Sequence, residues 1–481
     1  MHYKTAACLL ILWIGSSFSQ PYQPKWESLD KRPTPQWWLD AKFGIFIHWG
    51  VYSVPAFAKV GNYSEWYWNS LVEGRPEYVD FHKKNFGPGF QYADFVPLFK
   101  AELFNPDQWA NVFERSGAKY IVLTSKHHEG YTLWKNEQAN QSWGRPWNAV
   151  ETGPMRDLLG DLTTAVRKTS VKMGFYYSLY EWYNPVYRAD VPTFVNKHLF
   201  PQFKDLVSKY APAVIFSDGE WDHPSATWRS EELLSWLFNE SPCKDEVVID
   251  DRWGKETRHK HGGYYTTEYG SGLADASHPW EECRGIAHSF GYSRMETPDD
   301  YQTDQALLLM LIDIVSRGGN FLLDIGPTAD GRIPDIMQER LLKMGAWLQV
   351  NGEAIYGSKT WQHSCQWSKG KVEDAERGEY MKKYDIIELT VSPKSGMAHK
   401  EIFFTRKGKT VYAITPDYPK EELVIRDLKP SAKTAIRLLG YDTDLKWRRQ
   451  SNDLVITLPN LMTSPLRHQY AFSFRISDVV D

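Results

Sequence analysis

The chain has 481 residues and a formal net charge of −4, with no run of basic residues, so neither charge nor patterning points to a nucleic-acid partner. Its length exceeds one small core and suits a barrel with an accessory domain. Aromatic residues make up 15% of the chain and 21 of them are Trp; sugar C–H faces stack on indole, so this leans toward carbohydrate, with buried core Trp as the competing explanation.

Residues 1–19 read as a secretory signal. Lys4 supplies positive charge, residues 6–14 form a short apolar core, and Ser17-Phe-Ser19 puts small residues at the cleavage positions, so that Gln20 would begin the mature chain. The apolar run is too short to span a bilayer, and no later stretch qualifies. The expectation is an exported protein without a membrane span. Asn62-Tyr-Ser, Asn140-Gln-Ser and Asn239-Glu-Ser are candidate glycosylation sites, the third weakened by Pro242. With Cys8 lost with the signal, Cys243, Cys283 and Cys365 remain, so at most one internal disulfide can form.

Residues 20–360 alternate strand-like and helix-like stretches. Strands are predicted at residues 44–49, 120–125, 172–178, 213–218, 247–250 and 320–325. Helices are predicted at residues 106–116, 157–169, 195–210, 230–239, 302–317 and after Pro334. This alternation is the mark of a parallel α/β fold, and the lack of a glycine-rich nucleotide loop favours a (β/α)8-like catalytic barrel over an open sheet. Residues 361–481 differ in texture. A polar stretch over residues 364–383, expected to be a loop, is followed by short alternating runs beginning at residues 386–391, with a hairpin turn at residues 406–409. These predict a C-terminal β-sandwich.

Polar and aromatic residues recur at the ends of the predicted strands: His48-Trp-Gly50, Lys126-His-His-Glu-Gly130, Tyr176, Asp218 and Asp251-Arg-Trp253. Active sites form at that end of a barrel. Asp218 closes the apolar run that begins at Ala213, and Gly219 beside it lets a substrate approach the backbone. No His-Glu-x-x-His, zinc-spaced Cys pair or Gly-x-Ser-x-Gly occurs, which disfavours a metal or serine hydrolase. Carboxylates surrounded by His, Arg and Trp suit glycoside hydrolysis.

Phe46-Ile-His-Trp-Gly50, Ser64-Glu-Trp66, Lys126-His-His-Glu-Gly130, Ser217-Asp-Gly-Glu-Trp221, Asp251-Arg-Trp-Gly254 and Gly318-Gly-Asn-Phe-Leu-Leu323 together resemble the retaining α-L-fucosidases of glycoside hydrolase family 29. Residues 74–76 and 245–265 look most like the lysosomal and secreted animal enzymes. The resemblance implies a barrel and sandwich, no cofactor, and release of terminal α-L-fucose from glycans, glycoproteins or glycolipids. It implies a lysosomal or extracellular location and leaves homo-oligomerisation open. Carried over, the nucleophile falls on Asp218, and the fucose-binding residues on His48, Glu65, Trp66, His127, His128, Tyr176 and Arg252. Phe216 stands where many relatives carry Trp, implying a smaller wall there. The acid/base falls on Glu268, with Glu281 and Glu282 as rivals. A retaining glycosidase for another sugar, such as α-galactose, and a catalytically inactive fucose-binding protein are the competing functions.

Overall fold

Eight parallel strands form the sheet that carries the site: β1 (Phe43–Ile47), β2 (Tyr120–Lys126), β3 (Lys172–Ser178), β4 (Val214–Asp218), β5 (Val248–Ile249), β6 (Tyr265–Glu268), β7 (Trp280–Gly285) and β8 (Asn320–Ile325). The computed structural model describes residues 21–273 and 277–480; the signal segment lies outside the described residues. The strand order is β5-β4-β3-β2-β1-β8-β7-β6, so β1 and β8 pair and the sheet curls into a (β/α)8-like barrel. Between β5 and β6 the backbone ladder is interrupted. That seam is bridged by the amides of Gly263 and Tyr264, which donate to the Ile249 carbonyl at 3.1 and 3.2 Å. The Thr266 hydroxyl also crosses it, donating to Asp251 Oδ1 at 2.8 Å.

Successive strand side chains point to opposite faces, and that parity sorts the barrel. Ile45, Ile47, Ile121, Leu123, Phe175, Ile215, Phe321 and Leu323 join the large core beneath the helices. Phe46, Tyr120, Val122, Tyr176, Val214, Phe216, Val248, Tyr264, Cys283 and Leu322 fill the barrel interior. Asp218 is in phase with Val214 and Phe216, so it also faces inward.

The surrounding helices include Pro106–Arg115, Leu158–Val166, Phe200–Tyr210, Ser230–Asn239, Asp304–Ser316 and Asp335–Asn351. Twelve of the 13 residues of Asp304–Ser316 are buried. A helix apolar all round needs cover on both sides. The barrel supplies one side, and strand Lys400–Lys407 of the C-terminal sheet packs on the other. That sheet has five antiparallel strands: Cys365–Trp367, Lys400–Lys407, Thr410–Thr415, Ile436–Leu438 and Phe472–Ile476. A second sheet comprises Glu422–Ile425, Trp447–Gln450 and Asp453–Thr457. Ile402, Phe404, Val411 and Ala413 from the first meet Leu423, Ile425, Leu454 and Ile456 from the second in one core. The alternate residues Phe403, Tyr412 and Ile414 belong to the barrel-side core, so the five-stranded sheet is buried on both faces.

Several expectations are corrected. Residues 386–391 are not a strand: Ile386–Leu389 is a short helix capped by Asp385, whose side chain accepts from the Ile387 and Glu388 amides. The polar stretch 364–383 is not simply a loop, since it holds strand Cys365–Trp367 and then a strap that returns to the barrel mouth. β6 and β7 were not anticipated as strands, because their sequences, Tyr-Thr-Thr-Glu and Trp-Glu-Glu-Cys-Arg-Gly, are polar. They are nonetheless buried, their polar side chains being paired inside the barrel or against the neighbouring chain. Cys243, Cys283 and Cys365 are all free thiols.

Candidate active site

A cavity of about 340 Å3 opens at the C-terminal ends of the strands, at the small end of the ~300–1,000 Å3 range of small-molecule sites. His48, Glu65, Trp66, His127, His128, Tyr176, Phe216, Asp218, Arg252 and Glu268 all line it. Residues from the ends of β1 to β4 and β6, and from the loops after β1 and β5, are thereby brought together.

Asp218 ends β4, and Gly219 turns the chain away with φ 73°. A side chain at Gly219 would run into the Tyr180 ring, so glycine is required there on both counts. Arg252 Nη1 donates to Asp218 Oδ1 at 2.9 Å, and the Tyr176 hydroxyl donates to Oδ2 at 2.8 Å. Burial presses the Asp218 carboxyl toward its neutral form, but Arg252, Arg258 and these hydrogen bonds outweigh it and hold its pKa below the ordinary carboxylate value. The charge is thus kept on a carboxylate that is 8% exposed.

The same guanidinium reaches Glu268: Arg252 Nη2 donates to Glu268 Oε2 at 3.2 Å. The Tyr63 hydroxyl donates to Glu268 Oε1 at 2.9 Å. Arg252 Nε is held by Thr266 Oγ1 at 3.0 Å, and its guanidinium carbon lies 4.9 Å from the centre of the Phe216 ring. Arg252 is therefore first a bridge between two carboxylates. Glu268 closes strand β6, one of the two strands that were not expected from the sequence.

Glu281 and Glu282 do not line the cavity. The register pairs Glu268 with Cys283 and Thr266 with Glu281, so Glu281 faces inward one layer deeper, about 6.6 Å down the strand. There it accepts from Tyr120, and burial pushes its carboxyl up to about 8. Glu282 has the opposite parity and points out of the barrel, where it accepts from Thr267 and, at 2.7 Å, from the Gly270 amide.

The histidines are held as neutral rings. Burial drives His48, His127 and His128 well below the usual histidine value. His48 Nδ1 lies 2.6 Å from Asp324 Oδ1. Ser178 Oγ donates to the Tyr180 carbonyl at 2.6 Å, so His128 Nδ1, 2.7 Å from that oxygen, is the donor of the pair. This leaves His128 Nε2 as an acceptor, 3.5 Å from Asp218 Oδ2 and equally close to the Tyr176 hydroxyl. His127 Nδ1 stands 3.8 Å from Glu129 Oε2, and neither atom has a hydrogen-bond partner among the described residues. Burial pushes Glu65 up to about 8, so it is a carboxylic acid through acid and neutral pH. Its Oε2 accepts from the Gly291 amide at 2.9 Å.

Several lining residues escaped the sequence reading: Tyr63, Arg258, Phe290, Glu379 and Tyr380. Tyr63 directly precedes the Ser64-Glu-Trp66 motif, a signal that was available. Arg258 pairs with Glu220 at 2.6 Å and lies 4.0 Å from Asp218. Phe290 stacks on His48 with ring centres 4.8 Å apart and carries no local signal at all. Trp66 meets Trp221 and His128 at ring distances of 6.3 and 5.6 Å. Away from the cavity, the Asn140 amide donates to Glu151 at 2.6 Å, and that of Asn239 donates to the carbonyls of Tyr22 and Ser235, each at 2.8 Å. Both nitrogens are thus engaged, whereas no such bond holds the Asn62 side chain among the described residues.

Residues 14–353 match the family model described as alpha-L-fucosidase, and residues 395–477 match that of the alpha-L-fucosidase C-terminal domain. The chain is 42% identical to tissue alpha-L-fucosidase of Homo sapiens, covering 98% of this chain and 97% of that protein. It is 48% identical to alpha-L-fucosidase of Dictyostelium discoideum over 73% of this chain and 78% of the relative. Among solved structures, Thermotoga maritima alpha-fucosidase in complex with a mechanism-based inhibitor aligns with a TM-score of 0.76 at 33% identity, over 95% of this chain and all of that one. The cavity, its paired carboxylates and these similarities lead to one conclusion: the chain belongs to the alpha-L-fucosidase family of glycoside hydrolases.

Proposed function

We propose that this chain is a retaining exo-α-L-fucosidase that removes terminal α-L-fucose from glycoconjugates by double displacement, with Asp218 as nucleophile and Glu268 as acid/base. The observation that carries the reading is the single Arg252 guanidinium hydrogen-bonded to both carboxylates at the cavity floor. A shared guanidinium keeps the pair close, which suits the ~5–5.5 Å separation of retaining enzymes better than the ~6.5–9.5 Å of inverting ones.

In the first step an Asp218 oxygen attacks the anomeric carbon and the bond to the leaving oxygen breaks, while Glu268 gives that oxygen its proton. In the second, Glu268, now a carboxylate, takes a proton from water. The water oxygen forms the new bond to the anomeric carbon, and Asp218 leaves with its electron pair. Two inversions restore the α configuration. Arg252 matches these charges: it favours ionised Asp218 before attack and stays beside Glu268 once that group has lost its proton. Neutral His48, His127 and His128 and the protonated Glu65 offer acceptors and a donor to the sugar hydroxyls without placing further charge beside a neutral substrate. Phe46, Phe216 and Phe290 supply an apolar wall for the methyl group that fucose carries in place of a hydroxymethyl. A pocket this small and closed at one end fits one terminal sugar. We further propose that the enzyme is exported to the lysosome or the extracellular space, with its catalytic unit over residues 20–360 and its sandwich over residues 361–481.

Proton NMR of the first-formed product tests the mechanism: α-L-fucose must appear before its β anomer. In parallel, Asp218→Gly should lose turnover while keeping its fold, and azide should react with it only from the opposite face, giving β-fucosyl azide. A variant retaining more than roughly a tenth of wild-type activity would remove Asp218 from the nucleophile role.

A further inference from the structure

The strap over residues 371–383 lies outside the barrel in sequence, yet it docks on the strand that bears Glu268. The Glu268 amide donates to the Glu379 carbonyl at 2.8 Å, and the Met381 amide donates to the Glu268 carbonyl at 2.9 Å. Both backbone groups of Glu268 are thus held by the strap, which pairs beside β6 as a further parallel element. Ser271 Oγ adds a bond to the Glu376 carbonyl at 2.8 Å. The strap is anchored at its other end by an ionic cluster that reaches inward from the surface. Lys400 Nζ sits 2.9 Å from both Asp313 and Asp374, and Arg377 pairs with Asp374 at 2.8 Å. Lys400 and Asp313 are fully enclosed, and the strap reaches that pair through Asp374, which is 39% exposed; this contact and the backbone bonds to Glu268 together seat the strap.

That seat puts Tyr380 on the cavity wall, beside the Tyr63 hydroxyl that holds Glu268, the residue being 49% exposed. A half-exposed tyrosine fixed at a pocket rim by the backbone bonds of Glu379 and Met381 on either side is a surface held ready for contact. The reaction supplies what contacts it. A proton donor stands at the oxygen joining fucose to the leaving group, so the solvent-side surface flanking the donor meets the leaving group.

We propose that the strap forms the leaving-group subsite and that Tyr380 is the wall on which the departing sugar lays a C–H face. The inference rests on reading Glu268 as the proton donor. It makes the C-terminal segment part of the specificity determinant, which the barrel alone would lack.

The test compares Tyr380→Ala, Tyr380→Phe and wild type on α-fucosyl fluoride, whose leaving group is a single atom, and on a fucosyl disaccharide. The ratio of kcat/KM for disaccharide to that for fluoride should fall roughly tenfold in Tyr380→Ala, mainly through KM, about 1.4 kcal/mol of lost contact. Tyr380→Phe should keep most of the ratio, because the ring face is retained. Equal losses on both substrates would mean that Tyr380 serves only the shape of the site, and wild-type rates on both would mean that the leaving group lies elsewhere; either overturns the proposal. Azide acceleration of Glu268→Ala on the fluoride, run alongside, reports on the donor separately. Without that acceleration the acid/base reading fails, while the Tyr380 ratio still decides whether the strap meets the leaving sugar.

Discussion

Replacing Arg252 by Gln tests the electrostatic core of the site. At an effective dielectric of about 20, a unit charge 2.9 Å from Asp218 Oδ1 is worth about 6 kcal/mol. Most of this offsets the cost of burying the Asp218 carboxylate, so the observable loss is smaller: removing one partner of a buried pair costs about 3–5 kcal/mol. Arg258, 4.0 Å from Asp218, remains and moderates the change. In the wild type Asp218 has a lowered folded pKa. It therefore contributes stability that is present above its unfolded value, near 3.8, and is lost as pH falls through the folded value. In Arg252→Gln, burial is opposed only by Arg258 and the Tyr176 hydrogen bond, and with the largest opposing charge gone the Asp218 pKa is expected to rise above the unfolded value. The unfolded chain then releases its proton first, and stability declines as pH rises through the interval between the two. The gap between wild type and variant should be narrowest below about pH 4 and widen toward neutrality, as read by urea unfolding across pH. The acid limb of kcat/KM, which reports the essential base of the free enzyme, should move up by about one unit or more. A pH-independent loss of stability with an unmoved acid limb would refute the reasoning and reduce Arg252 to a ligand for a sugar hydroxyl.

Glu268→Ala should lose roughly 100- to 10,000-fold on natural fucosides but far less on a fucoside with a good phenolate leaving group. Azide should accelerate the variant, and unaltered activity on natural fucosides would rule Glu268 out. Glu281→Gln should leave most activity in place. Because burial raises the folded Glu281 value to about 8, the wild type loses stability as pH rises from the unfolded value, near 4.5, toward 8. The Gln variant removes that slope, so its thermal midpoint relative to wild type should rise between pH 5 and about 8; a constant difference would show that Glu281 is not held neutral.

The barrel, the sandwich and most of the cavity lining were legible in local sequence patterns. Apolar strands alternating with amphipathic helices leave few architectures. Strand parity is local, so Val214, Phe216 and Asp218 were bound to face one way whatever surrounded them. The motifs around His48, Glu65, His127 and Arg252 ride on those same strand ends or on the loops that follow them. Tertiary structure decided what depends on register and on distant chain. Glu268, Glu281 and Glu282 are all carboxylates on polar segments that do not read as strands, and only the β6–β7 pairing sets one at the mouth, one a layer deeper and one outside. Arg252 and Glu65 also changed character. Packing made the first a bridge between carboxylates, and burial made the second an acid. Phe290 and Tyr380 reach the pocket from a loop after β7 and a strap beyond the barrel, and no short-range pattern encodes a contact made across more than a hundred residues. Tyr380 stands where it does because Glu268 offers a free strand edge and the cluster of Asp313, Asp374 and Lys400 fixes the strap against it.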